Sequence, residues 1–454
     1  MALPLGLDYN NSIKATSAVA NAYQLEVQPT NAREFNMSSQ IIMQIPCRER
    51  VYADLASSKL SFDIHNGDGH AIRLDSQAGC VFDRVDTKIA GSVISSIQQY
   101  GQLSNFIYDC QMSKQQRTGA FSIESGNGDG GVIVTSNTGD QTTGQPFINV
   151  TLPGTGTARV GKTITHTNNK TLSVSHSLLG GVFSSNRFVP LNLASELELN
   201  LYLNTAARAF ISNANITDHE VTIRNVKLSM MVVELDARTD AAVSSSGYEF
   251  MMSDFSTSLS TVEATATQHS VIIPARYSML KSLYHLPVAQ SETTAAASAS
   301  QTMRSRGKLI ASDATPPAYS GGTIQEYYVS IGGVNYPTVH QTNTNFFSKL
   351  MESFHVSPYD QHNVSFDPNE WLADTGLISN TLQGNPAFAI GMDLETVRNK
   401  GDSILSGLRT TQSVVQPHFI FDAAPGANMQ MTHIAHFDVL ARVDPQTKLI
   451  QIST

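Results

Sequence analysis

The sequence predicts an all-β chain of two consecutive β-sandwiches, with short helices and long loop insertions. Three observations predict it. The first is a phrase that occurs twice. Lys88-Ile89-Ala90-Gly91-Ser92-Val93-Ile94 is followed after a gap by Ser104-Asn105-Phe106-Ile107-Tyr108-Asp109; roughly 240 residues later Ser330-Ile331-Gly332-Gly333-Val334-Asn335-Tyr336 is followed by Thr344-Asn345-Phe346-Phe347-Ser348-Lys349-Leu350. In each copy a short apolar strand breaks at a small residue plus glycine, and an Asn-Phe pair opens a stretch with helical spacing. A repeat of this length is a duplicated domain, because a solenoid unit recurs every ~20–50 residues. The second observation is strict alternation in Glu196-Leu197-Glu198-Leu199-Asn200-Leu201-Tyr202-Leu203, a strand with one buried and one wet face. The third is composition: charged residues make up 15%, against a globular norm of ~25%.

The totals set bounds. At 454 residues the chain suits two domains, each of about 200 residues. A hydrophobic share of 41% supplies sizeable cores. The formal net charge of -9 is mild for this length and argues against wrapping nucleic acid on a basic surface. Cys47, Cys80 and Cys110 leave at least one thiol unpaired, and no two have metal-ligand spacing. Neutral thiols of a reducing compartment are the expectation. The segment Met1 to Asp8 has no basic start and no long apolar run, so no signal peptide is expected. No window approaches the ~18 apolar residues of a membrane helix. The Asn-X-Ser/Thr triplets at Asn149, Asn169 and Asn215 are read as composition noise.

In chain order, residues 1–36 read as a polar arm or lead-in strand. Gln40 to Ile45 is a strand stopped by Pro46. Ser58 to Ile64 alternates with period two and meets the turn Asn66-Gly67-Asp68-Gly69. Val81 to Ile89 continues in β style, and Ile97 to Gln111 has apolar residues at helical spacing. The stretch 112–176, rich in Gly, Ser, Thr, Asn and Asp, is expected as an insertion between strands of one sandwich. Val226 to Leu235 reads as a strand apolar on both faces for much of its length. Asp240 to Gly247 relaxes into a domain boundary. In the second half, Ser270 to Pro274 echoes the strand ended by Pro46, and Tyr277 to Leu286 suggests a strand pair. Residues 290–322 form a second polar insertion. Tyr327 to Val334 is a strand, Phe346 to Phe354 a short helix, and Met431 to Val443 a closing strand with Phe437, Val439, Ala441 and Val443 on one face.

Several motifs invite chemistry and do not carry it. Gly156-Thr157-Ala158-Arg159-Val160-Gly161-Lys162-Thr163 fits the phosphate-loop pattern, with Met230 to Asp236 posing as a metal-binding partner strand. Phosphate binding needs a helix immediately after the loop. The β-branched, turn-forming Ile164 to Thr171 argues against one. His433 and His436 point to opposite faces of a strand, so only His436 and Asp438 can converge, and two ligands do not close a metal site. Asp360, His362 and Asp367 share a loop with nothing to fix their geometry. Glu196 and Glu198 share a wet face, as glycosidase carboxylates would, but so do the residues of any solvated sheet. Trp371 is expected to anchor a core, and FWY residues are only 7%, few for a sugar-binding sandwich. No nucleophile elbow is present. No catalytic, cofactor-binding or metal-ligating residues are therefore expected.

The order of elements resembles a known family. A strand ends near Pro46; Ala71 to Ala78 follows; then come the Arg84 to Gly91 strand and an apolar helix through Tyr100, Asn105 and Asp109-Cys110-Gln111. This is similar to the first sandwich of double jelly-roll major capsid proteins of the PRD1–adenovirus lineage, closest in flavour to those of polinton-like viruses, virophages and adintoviruses. In that light Phe188 to Leu191 and Glu196 to Leu199 look like strands that close the first jelly roll, and Ala389 to Glu395 would take the corresponding place in the second. The implied division is an arm at 1–36, a first jelly roll at 37–243 with its insertion at about 112–176, and a second at 247–454 with its insertion at about 290–322. The resemblance implies a structural protein of the virion and no enzyme. It would assemble as pseudo-hexameric homotrimers into an icosahedral shell in the host cytoplasm or nucleus, with the two insertions as outer towers. Implied partners are copies of itself, penton and minor capsid proteins and an internal membrane; sequence-specific nucleic acid binding and cofactors are not implied. Alternatives from other classes are a β-sandwich glycoside hydrolase or lyase and a phage receptor-binding protein.

Overall fold

The computed structural model describes residues 20–67, 72–74, 77–113, 171–193, 195–212, 216–244, 247–290, 324–342, 344–356, 388–395, 407–426, 428–444 and 446–453, with short pieces at 116, 120–126, 132–134, 149–152, 156–159, 163–164 and 382–384. Eight principal strands occupy the first half: β1 (Ala20–Val27), β2 (Gln40–Ile45), β3 (Val51–Asn66), β4 (Phe82–Ile89), β5 (Ser92–Gln98), β6 (Thr171–His176), β7 (Leu197–Leu203) and β8 (Val221–Leu235). Eight more occupy the second: β9 (Tyr248–Val262), β10 (Gln268–Ser270), β11 (Leu280–Ala289), β12 (Ile324–Ile331), β13 (Val334–Thr342), β14 (Ile390–Asp393), β15 (Val415–Phe421) and β16 (Met429–Val443). Helices α1 (Tyr100–Gln111), α2 (Ala237–Ser244) and α3 (Phe346–Ser353) lie between them.

The two halves follow one pairing map. In the first, one antiparallel sheet runs β1-β8-β3-β6 and the other β2-β7-β4-β5. In the second, the sheets run β9-β16-β11-β14 and β10-β15-β12-β13. Each strand of the first half has its counterpart eight strands later. The duplicated phrase is the β4–β5 hairpin with α1, and the β12–β13 hairpin with α3. Both hairpins turn on two residues, Ala90-Gly91 and Gly332-Gly333, all at positive φ, as the twist of adjacent strands demands.

Alternation places the cores. Leu197, Leu199, Leu201 and Leu203 of β7 are buried between the sheets, as are Ile41, Met43 and Ile45 of β2. The buried apolar side chains of both sandwiches join into one continuous core.

Several elements differ from expectation. The helix expected from Ile97 begins at Tyr100, because Ile97 is still in β5 and the chain breaks at Gln99, φ 50°. Tyr277 to Leu286 is not a strand pair but leads into the single strand β11. The expected boundary at Asp240 to Gly247 lies largely in α2, capped by Asp236, whose carboxylate accepts from Thr239 N at 3.1 Å. β8 buries one face, not two: a bulge between Arg224 and Lys227, with Asn225 at φ 51°, shifts the alternation so that Ile223 and Val226 both point inward while Met231 is exposed. Ile390–Asp393 pairs with β11 as Thr171–His176 pairs with β3, so it is the counterpart of β6 and not of the closing strand β7; that counterpart is Val415–Phe421. Thr171–His176, at the end of the 112–176 stretch, belongs to the main sheet, and Ala20–Val27 of the arm pairs with β8. The 290–322 insertion beyond residue 290 lies outside the described residues, as does 1–19 of the arm.

Candidate functional site at the junction of the two sandwiches

The first sandwich caps the open edge of the second. β9 pairs with β16 on one side only, and its other side would present unpaired backbone groups. A 3₁₀ turn after β6, Gly181–Ser184, and the residues behind it supply partners. Arg187 Nη1 donates to Glu249 O at 3.1 Å. Asn186 accepts from Met251 N through Oδ1 at 3.1 Å and donates its own N–H to Met251 O at 3.2 Å. The Ser184 hydroxyl accepts from Ser253 N at 2.8 Å and donates to Ser253 O. Thr257 Oγ1 donates to Gln98 O, at the end of β5, at 2.8 Å. Glycine is required here: a Cβ on Gly180 would stand 2.5 Å from Ile97 Cδ1, and one on Gly181 2.8 Å from Ser95 Cβ, both at positive φ.

Asp254 sits within this seam, 4% exposed, and accepts from Gly181 N and Phe255 N at 3.2 and 2.9 Å. Burial pushes its carboxyl up to about 6, against the pull of those donors and Ser95. Behind the seam α1 wedges between the sandwiches. Its Phe106 meets Tyr284 edge-on at 5.2 Å and Phe354 at 5.6 Å, and Gln102 accepts from Thr432 Oγ1 at 2.9 Å.

Beside α1 is a cavity of about 90 Å³ lined by Gln111, Phe255, Lys281, Glu395, His436 and other side chains. His436 lines it and, as the strand period requires, converges with Asp438, the two meeting on Ser253. The Ser253 hydroxyl lies 2.7 Å from His436 Nε2 and 3.0 Å from Asp438 Oδ1. These are the three residue types of a hydrolase triad in the wrong connection. The carboxylate of a triad must hold the histidine's other nitrogen; here His436 Nδ1 faces the Ser282 hydroxyl at 3.2 Å, and Asp438 is paired with Lys281 at 3.4 Å. Burial, with the nearby Lys281 and His355 charges, pushes His436 down to about 3, too weak a base to activate a hydroxyl near neutral pH. Lys281 also reaches Glu395 at 3.2 Å. The cluster ties β9, β11 and β16 together. Ser253 was the member that sequence reasoning missed, because its only signal is cross-strand register.

The remaining candidates do not assemble. His433 turns into the opposite face, toward His285. Gly156–Arg159 is a strand paired with Asn149–Leu152, and Thr163–Ile164 is a strand paired with Ile72 and Arg73, so no helix begins at Thr163; residues 160–162 lie outside the described residues. Asp236 caps α2. Glu198 is paired with Lys88 at 3.5 Å and accepts from Asn200, while Glu196 is exposed beside it. Asp360, His362, Asp367 and Trp371 lie outside the described residues. None of the three cysteines is in a disulfide. Among the described residues no group of three His, Cys, Asp or Glu could hold a metal ion, and no helix is long and apolar enough to cross a membrane.

The whole chain, two sandwiches of one strand map, aligns with solved structures. The Faustovirus major capsid protein aligns with a TM-score of 0.61, covering 95% of this chain and 92% of that one at 8% identity. The fold is the double jelly roll. The capsid structure of the virus PBCV-1 aligns at 0.60, covering 96% and 97% at 9% identity, and the mavirus major capsid protein at 0.51, covering 100% and 95% at 10% identity. No family model and no curated protein matches the chain in sequence. The two jelly rolls are therefore recognised through their shape, and sequence identities this low carry the likeness of fold alone.

Proposed function

We propose that this double jelly roll is a viral major capsid protein that self-assembles as pseudo-hexameric homotrimers into an icosahedral shell, without catalysis. The observation that carries the reading is the end-to-end alignment with capsid proteins. Two jelly rolls with one strand map give a trimer six similar units, enough to fill a hexagonal lattice position. Weak charge suits large, repeatedly buried surfaces. In this reading 1–36 is the arm, ending in an added edge strand, 37–243 the first jelly roll and 247–454 the second. The insertions at about 112–176 and 290–322 form the outer towers. The protein's place is the virion, after assembly in the host cytoplasm or nucleus. Its partners are other copies, penton and minor capsid proteins and an internal membrane, and it binds no specific nucleic acid sequence.

Light scattering of the purified protein, followed by negative-stain imaging, tests the reading. A particle of three times 49.1 kDa with a hexagonal outline, or spontaneous shells, is expected. A monomer at every concentration overturns it.

A further inference from the structure

A run of hydrogen bonds crosses the core of the second jelly roll and returns to its rim. Tyr327 OH on β12 lies 2.5 Å from His285 Nε2 on β11, and His285 Nδ1 lies 2.8 Å from His433 Nδ1 on β16. His433 Nε2 is 2.8 Å from the Ser260 hydroxyl of β9, which is 2.9 Å from His269 Nε2 on the edge strand β10. Tyr327, His285 and His433 are buried, and His269 is half-buried. Phe419 walls the run, stacked on Tyr327 at 5.2 Å and on His269 at 6.2 Å. A neutral imidazole has one N–H and a serine one O–H. With every bond made, all four therefore point toward His269 or all four point toward Tyr327.

The two directions are unequal. Pointing toward His269, the run starts with Tyr327 donating to His285. Pointing the other way, Tyr327 accepts, and its own buried proton is stranded, because among the described residues its hydroxyl has no second partner. A stranded buried donor is costly, so the neutral run points toward His269. A charged His269 has no lone pair left to accept from Ser260.

We propose that the run is an acid-operated relay: charging His269 at the rim turns every bond around and takes the acceptor from Tyr327 in the core. The tie between the two sheets loosens at Tyr327 as the rim gains a proton. The reversed run holds one more proton, taken from water. Each of the four bonds has its proton on the opposite atom, His269 keeps the one on Nδ1, and Tyr327 ends with a hydroxyl proton that bridges nothing. No charge enters the core, where burial keeps His285 and His433 neutral. The ionisable groups that face His269 are those two histidines; β9 faces it with Ser260, and His418 of β15 turns to the outer face against Tyr328. Burial pushes His269 itself down from the usual histidine range. The relay belongs to the second jelly roll alone and does not depend on assembly.

Solid-state ¹⁵N spectra of the histidine-labelled full chain read which ring nitrogen carries each proton. His285→Gln and His433→Gln variants assign the signals. From about pH 7.5 to about pH 4.5, spanning the usual histidine range, the fold is followed by circular dichroism. The His285 proton is expected to shift from Nδ1 to Nε2, and that of His433 from Nε2 to Nδ1, both at the midpoint where His269 charges. Ser260→Ala cuts the link and leaves His269 able to charge; His269→Gln cannot charge. In either variant the central rings are expected to keep one form at every pH. Rings that hold one form while wild-type His269 charges, or that switch in either variant, overturn the relay. So does a His269 that stays neutral until the fold melts.

Discussion

His285 and His433 meet nitrogen to nitrogen, Nδ1 to Nδ1 at 2.8 Å, in the core of the second jelly roll. The pair is the middle of a longer chain of hydrogen bonds. Tyr327 OH lies 2.5 Å from His285 Nε2; His433 Nε2 lies 2.8 Å from Ser260 Oγ, and that hydroxyl lies 2.9 Å from His269 Nε2. Two opposite assignments of protons satisfy every link; in one, Tyr327 donates to His285, His285 to His433, His433 to Ser260, and Ser260 to His269. Both central histidines are neutral in this scheme, which agrees with burial pushing His433 down to about 3 and His285 well below its usual value. The chain crosses from β12 in one sheet to β11, β16 and β9 in the other, where aliphatic residues would pack without any preferred partner.

Removing one link leaves a buried donor without an acceptor. His433→Leu should cost about 1–3 kcal/mol, the penalty of one unsatisfied buried group, with further loss where packing is imperfect. His285→Leu should cost a similar amount. The double variant should cost less than the two together by at least about 0.5 kcal/mol, because the second change removes the group that the first left stranded. Urea denaturation of the four proteins measures the cycle, and strict additivity would show that the 2.8 Å contact contributes nothing.

The buried histidines also make the fold sensitive to acid. His176, His433 and His436 are held neutral by burial, each pushed down to about 3. An unfolded chain binds protons at these sites below about 6.5, and the folded chain does not until about 3. Stability is therefore full above pH 6.5 and lost as pH falls toward 3, at about 2 kcal/mol per histidine by pH 5. A lower urea midpoint at pH 5 than at pH 7 is expected. Equal midpoints would mean that these rings take up protons inside the fold.

Asp254 acts in the opposite direction. Its carboxyl, pushed up to about 6 by burial, binds its proton more tightly in the fold than in the unfolded chain. Stability contributed by this group is present in acid and lost as pH rises through about 6, with about 3 kcal/mol forgone by pH 7. The relief by pH 5 is about 1 kcal/mol, smaller than the loss from the three histidines, so the net trend still falls in acid. Asp254→Asn keeps the Oδ1 that accepts from Gly181 and Phe255. It should raise the urea midpoint at pH 7 and steepen the fall toward pH 5. A lower midpoint at pH 7 would show that the ionised carboxylate holds the seam.

Local pattern carried more of this fold than of its junction. The leucine alternation of β7 and the repeated hairpin-plus-helix phrase were legible because their partners lie nearby or their periods are strict. The start of α1 was not, because Ile97 fits helical spacing with Tyr100 while sitting in a strand that ends at the left-handed Gln99. The two-sided apolar look of β8 came from Met231, Val233 and Leu235 on its outer face, exposed or half-buried, while Val226, Leu228, Met230 and Val232 are buried. The seam was invisible: Ser184 with Ser253, and Gln102 with Thr432, are joined by cross-sheet geometry that no window of sequence contains. Likewise period two could put His436 beside Asp438, but only register could bring Ser253 between them.

The two equivalent hairpins offer a matched test of backbone strain. Ala90 and Gly91 turn at φ 50° and 79°, and Gly332 and Gly333 at 59° and 86°. The first turn thus holds an alanine in a conformation where the second has glycine. A left-handed alanine costs roughly 1–2 kcal/mol in Cβ crowding, offset in part by the smaller entropy it loses on folding. Ala90 is exposed, so Ala90→Gly removes no packing and should stabilise by about 0.5–1 kcal/mol. Gly332→Ala, at the position equivalent to Ala90, should do the reverse by about 1 kcal/mol, through backbone strain and the 3.2 Å approach of the added Cβ to Ser413 Oγ. Opposite shifts in melting temperature are expected for the two variants. Shifts of the same sign would mean that the hairpins do not share one turn, and the equivalence of β4–β5 with β12–β13 would fail at its tightest point.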